Sequence, residues 1–269
     1  MRGRSIPLSL QRRMVIDLLH FAKSIPTVPV QRKMSLALLV AARAACRERP
    51  RWTTLFTKAY ALLAQEFPEL RRAYIKIPWA HLYEYPVSNA SIILERDYRG
   101  EPALLPVTIK DPAQQSLRDI GEQLHRAATA PVEDIKNFRR WLQLAKLPIY
   151  LRRAAWWLGL NIGRQRGNYF GTFAVSVYSA LNAESLHPLS PVTTVLNYGV
   201  INGDGDVDVR IIYDHRVMDG ATVARALARL EEILNSVVRD EVRSDLAKKS
   251  HALTAASAIA PKKRRKPMA

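Results

Sequence analysis

Between residues 202 and 234 the chain runs through a tight turn, a strand, a short loop and a helix in immediate succession, with a histidine at the joint. Asn202-Gly203-Asp204-Gly205 is a turn signal, because Asn and Gly tolerate the backbone conformations that tight hairpins need. Val207, Val209 and Ile211 then alternate with polar residues, the period-two pattern of a half-buried strand. That strand ends at Asp214-His215. From Ala221 to Leu234, the apolar residues Ala224, Leu227, Leu230 and Leu234 share one helical face. A chain written this way must build a sheet with helices packed on it, and must hold the side chain at the strand end in a fixed place.

The remaining segments fit that expectation. Helices are predicted over 8–23 and 35–47, and from Thr53 or Thr54, as N-cap, to Phe67. Ile25-Pro26-Thr27-Val28-Pro29-Val30 must be extended, since two prolines at that spacing forbid a helix. Strands are predicted at 89–95, 103–109, 171–177 and 193–201. Ser116 opens a helix to about Ala128, with Asp119 three residues on in the manner of a capping box. Residues 134–167 read as an added helical segment, divided or kinked at Pro148. Helices and strands do not alternate strictly, so the fold class is α+β, a mixed sheet sandwich with helices on it.

The 269 residues, 48% of them hydrophobic, suffice for one large core, and no Gly/Ser- or Pro-rich linker divides them. Residues 1–245 are therefore read as one domain and 246–269, which lose periodicity, as a basic disordered tail. Cys46 is the only cysteine, so no intramolecular disulfide forms and the cytoplasm is the expected compartment. The apolar stretch near the N-terminus is broken by Gln11, Arg12, Arg13 and Asp17, unlike a secretory signal. No run reaches the ~20 apolar residues of a spanning helix.

The net charge of +17 favours anionic partners. It is concentrated in residues 1–51, in 136–167, and in Lys262-Lys263-Arg264-Arg265-Lys266. The segment 136–167 carries eight Lys or Arg residues, no acid, and Trp141, Trp156 and Trp157. It reads either as a helical lid with Trp156 and Trp157 in its core, or as an element lying on an anionic membrane surface. No nucleic-acid-binding motif accompanies the charge, so nucleic acid is not an expected partner. His20, His81, His125, His187 and His251 lack metal-ligand spacing, and no metal site is expected.

The chemistry concentrates in His215, Asp219 and Gly220. A histidine titrates near neutrality and can serve as a base. Asp214 and Asp219 are placed to orient neighbours, and Gly220 to take a backbone conformation closed to other residues. On these residues alone, a packed histidine with no catalytic part remains an open reading.

Asp214-His215-Arg216-Val217-Met218-Asp219-Gly220-Ala221 resembles the signature of the dihydrolipoyl acyltransferase catalytic domain of 2-oxo acid dehydrogenase complexes, a member of the chloramphenicol acetyltransferase superfamily. Pro7 to Val15 resembles that family's opening helix and Ile25-Pro26-Thr27-Val28 its next strand. Glu66-Phe67-Pro68-Glu69-Leu70, the stretch from Arg99-Gly100 to Pro106-Val107, and Gly171-Thr172-Phe173-Ala174-Val175-Ser176 follow in the family's order. The resemblance implies an acyltransferase in which His215 is the base, Ser176 stabilises the oxyanion and Asp219 orders the site through an ion pair. Arg13, or else Arg12, would be the partner from the opening helix. It also implies acyl-CoA as cosubstrate, no covalently bound cofactor, and a homotrimer with Ser176 facing His215 of a neighbouring chain.

Three departures shape the expected function. The opening helix begins almost at Met1, with no lipoyl or peripheral subunit-binding domain before it. Val177-Tyr178-Ser179 replaces the family's Asn-Leu-Gly after the serine, and residues 134–167 are unlike the family's linker. The leading expectation is a stand-alone CoA-dependent acyltransferase with a hydroxyl, amine or thiol acceptor. The alternatives are a non-catalytic trimeric scaffold and a membrane-surface acyltransferase acting on a lipid.

Overall fold

The computed structural model describes Met1 and residues 3–178 and 182–244. The basic tail expected at 246–269, with Lys262 to Lys266, lies outside the described residues, as does Ser179. The chain is an α+β protein built on one six-stranded mixed sheet. The strands are β1 (Thr27–Ser35), β4 (Asn89–Tyr98), β5 (Glu101–Lys110), β6 (Phe173–Val175), β7 (Thr194–Tyr198) and β8 (Asp206–Asp214), in the order β1-β8-β7-β6-β4-β5. β6 runs parallel to both β4 and β7, and the other pairs are antiparallel.

One face of the sheet carries the main core. Phe173, Val175, Leu196, Tyr198, Ile211 and Tyr213 point to it and meet α3 (Trp52–Glu66), α4 (Leu117–Thr129) and α8 (Gly220–Ile233). The ring of Phe56 stacks on Tyr198 with centroids 4.1 Å apart. α8 continues through a π turn at Leu234–Val238, whose Leu234 and Val238 are also buried. Ala174, Val195 and Ile212 point to the opposite face, as strand alternation requires. α2 (Ala37–Ala44) follows β1.

The predicted elements are found with shifted ends. α3 starts at Trp52 with Arg51 in the N-cap position, so neither Thr53 nor Thr54 caps it; Thr54 is buried instead. The Ser116 hydroxyl accepts the Asp119 amide and donates to the Asp119 carboxylate. In the turn before β8, Gly205 carries the positive φ, 89°. A Cβ there would lie 2.5 Å from the Ala37 amide nitrogen, so the backbone of α2 excludes any other residue.

The sequence reading missed a two-stranded ribbon, β2 (Arg72–Ile75) paired with β3 (His81–Glu84). It packs on α7 (Gly163–Tyr169), where a Cβ on Gly163 or Gly167 would fall 2.5 Å from the ring of Tyr83 or Tyr85. Burial pushes the Tyr85 hydroxyl up to about 12.

Residues 134–167 form α5 (Lys136–Ala145), α6 (Ile149–Asn161) and α7, with Pro148 between the first two. α5 lies on α1 (Leu10–Ala22) and along β5. Trp156 stacks on Phe21 of α1 (5.7 Å between centroids) and meets Trp141 edge-on (5.1 Å). Asp17 of α1, fully buried, accepts hydrogen bonds from Arg152 and Arg153 of α6. Trp156 is thus the centre of a small second core, but Trp157, expected beside it, is exposed. The two residues lie 100° apart on the helix, and only one can face α1. Among the described residues no helix is long and apolar enough to cross a membrane.

Candidate active site

His215 stands one residue past the end of β8, where the sequence placed it. Its backbone amide donates to Pro26 O at 3.0 Å, which ties the turn to the start of β1. The preceding Asp214 is fully buried and accepts from the Arg216 backbone amide (3.0 Å), Nε (2.9 Å) and Nη2 (2.7 Å). The Arg216 guanidinium in turn lies 4.4 Å over the Tyr74 ring. Asp214 therefore braces the turn as a local acceptor. Buried Arg166 donates to Tyr74 O and Pro191 O from the same side, and its guanidinium is pushed below the usual range by burial.

The His215 side chain is about half exposed, with Nδ1 3.7 Å from Asp219 Oδ1. That separation is electrostatic contact and too long for a hydrogen bond. Asp219 holds the N-cap position of α8, and its backbone carbonyl accepts from Thr222 and Val223. Nδ1 faces the carboxylate, and Nε2 makes no hydrogen bond among the described residues. Tyr213 packs against the imidazole at 5.5 Å between centroids. Its hydroxyl is held above the usual phenol range by burial and then by the Asp219 charge.

Gly220 differs from expectation. It is the first residue of α8 and carries no positive φ. What it supplies is space: a Cβ would lie 3.3 Å from the Tyr213 hydroxyl.

Ser176 follows β6 directly. Its amide donates to Leu196 O at 3.2 Å, and its carbonyl accepts from Asn197 Nδ2 at 2.5 Å. Its hydroxyl makes no hydrogen bond among the described residues. Around it lies a polar network the sequence reading missed. Arg210, almost fully buried, donates to Gln31 Oε1 (2.6 Å), Asn197 Oδ1 (3.5 Å) and Glu184 Oε2 (2.9 Å). The available signal was one cation between Val209 and Ile211, because a lone charge in an apolar strand must be paired.

Ser176 and His215 are not brought together within one chain. Ser176 falls in the row of Asn197 and Arg210, and His215 lies five residues further along β8 and two strands away. Strand geometry converts this to about 17 Å along the sheet and about 10 Å across it. Ser176 also shares the face of Ala174, opposite the main core. Arg12 and Arg13 lie elsewhere. α1 borders β5, at the far edge of the sheet from β8, and Arg13 Nε donates to Leu8 O at 3.2 Å. Neither arginine pairs with Asp219 in one chain. A second histidine, His187, does lie near the His215 turn: its Nε2 is 2.8 Å from the hydroxyl of Thr27, the register partner of Asp214.

No family model and no curated protein matches the sequence. Solved structures do. A probable dihydrolipoamide acetyltransferase from Listeria monocytogenes is similar at a TM-score of 0.64 with 18% identity, covering 87% of this chain and 95% of that one. The dihydrolipoamide acetyltransferase of Azotobacter vinelandii is similar at a TM-score of 0.66 with 18% identity, covering 88% and 93%. In that protein a serine, a histidine and an asparagine four positions after the histidine have been investigated for their part in the catalytic mechanism. A chloramphenicol acetyltransferase is similar at a TM-score of 0.50 with 13% identity, covering 85% and 96%. The chain thus has the chloramphenicol-acetyltransferase-like α+β fold of the dihydrolipoamide acetyltransferases.

Proposed function

We propose that this protein is a CoA-dependent acyltransferase that works as a homotrimer. The observation that carries the reading is the placement of His215. It sits at a strand–helix joint with a carboxylate four residues on, in the fold of two kinds of acetyltransferase. The acceptor, a hydroxyl, amine or thiol, gives its proton to His215 Nε2 as it attacks the acyl carbonyl of the thioester. Ser176 of a neighbouring chain donates a hydrogen bond to the oxyanion, an effect worth ~3 kcal/mol. The tetrahedral intermediate collapses with loss of the CoA sulfur, which takes the proton from His215. Asp219, on the Nδ1 side, orients the ring and offsets the imidazolium charge. It stands four residues after the histidine, where the Azotobacter vinelandii enzyme has its asparagine. Acyl-CoA is the cosubstrate, drawn in by the positive field, and the reaction needs no covalently bound cofactor. The cytoplasm is the proposed compartment.

Thiol release from a panel of acyl-CoAs, with alcohol, amine and thiol acceptors, tests the reading. Wild type should release CoA with at least one acceptor, and His215→Ala should lose the rate by at least about 100-fold. Equal rates in the two proteins would sink the base assignment. A wild type inert throughout, whose cellular role survives His215→Ala, would favour the non-catalytic scaffold.

A further inference from the structure

α6 is amphipathic the wrong way round for a surface helix. Its two charged residues, Arg152 and Arg153, turn inward to Asp17. Its outer face is apolar: Tyr150 is 85% exposed, Leu151 59%, Trp157 44% and Leu158 51%, with Ala154 and Ala155 between them. Leu147 and Ile149 before this face, and Ile162 after it, are also exposed. On one flank the face opens into a groove of ≈ 550 Å³, lined by Trp141, Leu144, Ala155, Leu158, Ile162 and Phe170. A contiguous apolar surface of this extent marks an interaction site.

The charges around the face point to its occupant. Arg140 lines the groove, Lys146 stands at the turn into α6 and Arg164 just past its end. Lys136 and Arg139 are exposed on α5. None of these five cations makes an ion pair among the described residues, and no acid occurs from 136 to 167. A second copy meeting this face with the same face would bring like charges together. An anionic bilayer would take Trp157, Tyr150 and the leucines at headgroup depth and pair its phosphates with the cations. We infer that α6 and its flanking cations are a docking surface for an anionic membrane, on which the protein lies without spanning it.

The test is co-sedimentation of the full chain with vesicles of phosphatidylcholine alone or with about a third phosphatidylglycerol, at low and high salt. Wild type should partition onto the phosphatidylglycerol vesicles at least about tenfold better than onto the neutral ones, and less at high salt. L151E/W157E, which alters only exposed side chains, should lose most of that binding while keeping its circular dichroism spectrum. K146Q/R164Q, which removes two of the five cations, should weaken the preference for anionic lipid. Absence of wild-type binding would overturn the inference, as would L151E/W157E binding like wild type. So would a wild-type oligomer that L151E/W157E dissociates by light scattering, since the face would then be a subunit interface. None of these outcomes depends on acyl transfer, so this inference and the proposed activity can fail separately.

Discussion

Ser176 and His215 of one chain sit two strands and five rows apart on the sheet. No side-chain movement closes a gap of roughly 20 Å. If both residues serve one reaction, they must come from different chains. Mixed oligomers test this. Ser176→Ala and His215→Ala should each be nearly inactive alone. Co-expressed in equal amounts, they should regain about a quarter of the wild-type rate, because random assembly pairs an intact serine with an intact histidine at about that frequency. No recovery, in oligomers shown to be mixed, would mean that the two residues do not share a site across subunits.

The buried Asp17 carboxylate is the anchor of the α5–α6 hairpin. Asp17→Ala would leave Arg152 buried without its counter-charge, which costs roughly 3–5 kcal/mol. Thermal unfolding should show a large fall in Tm, and limited proteolysis should cut first in residues 146–162. An unchanged Tm would mean that aromatic packing around Trp156 holds the hairpin alone.

Gly167 admits the Tyr85 ring, which is buried and has no room to retreat. Gly167→Ala should therefore destabilise by about 1–3 kcal/mol despite the higher helix propensity of alanine. Gly121→Ala, whose Cβ would meet nothing closer than 3.9 Å, is the control and should be neutral or stabilising. Denaturant titration of both variants decides it, and equal effects would count against the packing argument.

Glu66 at the end of α3 accepts from Arg229 of α8 at 2.7 and 3.0 Å, and this hydrogen bonding holds its carboxyl below the usual carboxylate range. A depressed folded value means the stabilisation is fully present above the unfolded value near 4.3 and is lost as pH falls through the folded value. Both side chains are largely exposed, so screening limits the effect to less than about 1 kcal/mol. Glu66→Gln should lower Tm slightly at pH 7, and the gap should close as the pH falls through the depressed folded value of Glu66. A gap that stays constant with pH would exclude the ion pair as its cause.

The helices and strands were legible where their signals were local. The β8–α8 joint could be read from the turn at 202–205, the alternation to Ile211 and the helical period from Ala221, and the structure keeps all three. The β2–β3 ribbon was not legible, because each strand has only four residues and is held by Tyr83 and Tyr85 packing on glycines about eighty residues later in the chain. The Trp-rich segment was legible as helix but not by orientation. Arg152 and Arg153 belong in solvent by charge, and only the distant Asp17 turns them inward.

By itself the sequence determined the α+β class, the position of His215 at a strand end and of Asp219 four residues later, ahead of the helix, since strand alternation, turn residues and helical period act over a few residues. Tertiary structure alone decided which groups meet. It placed Ser176 beside Arg210 and Asn197 and away from His215, moved Arg13 to the far edge of the sheet, and left the apolar face of α6 outward. Strand order and buried charge pairing join residues far apart in the chain, and no local pattern records them.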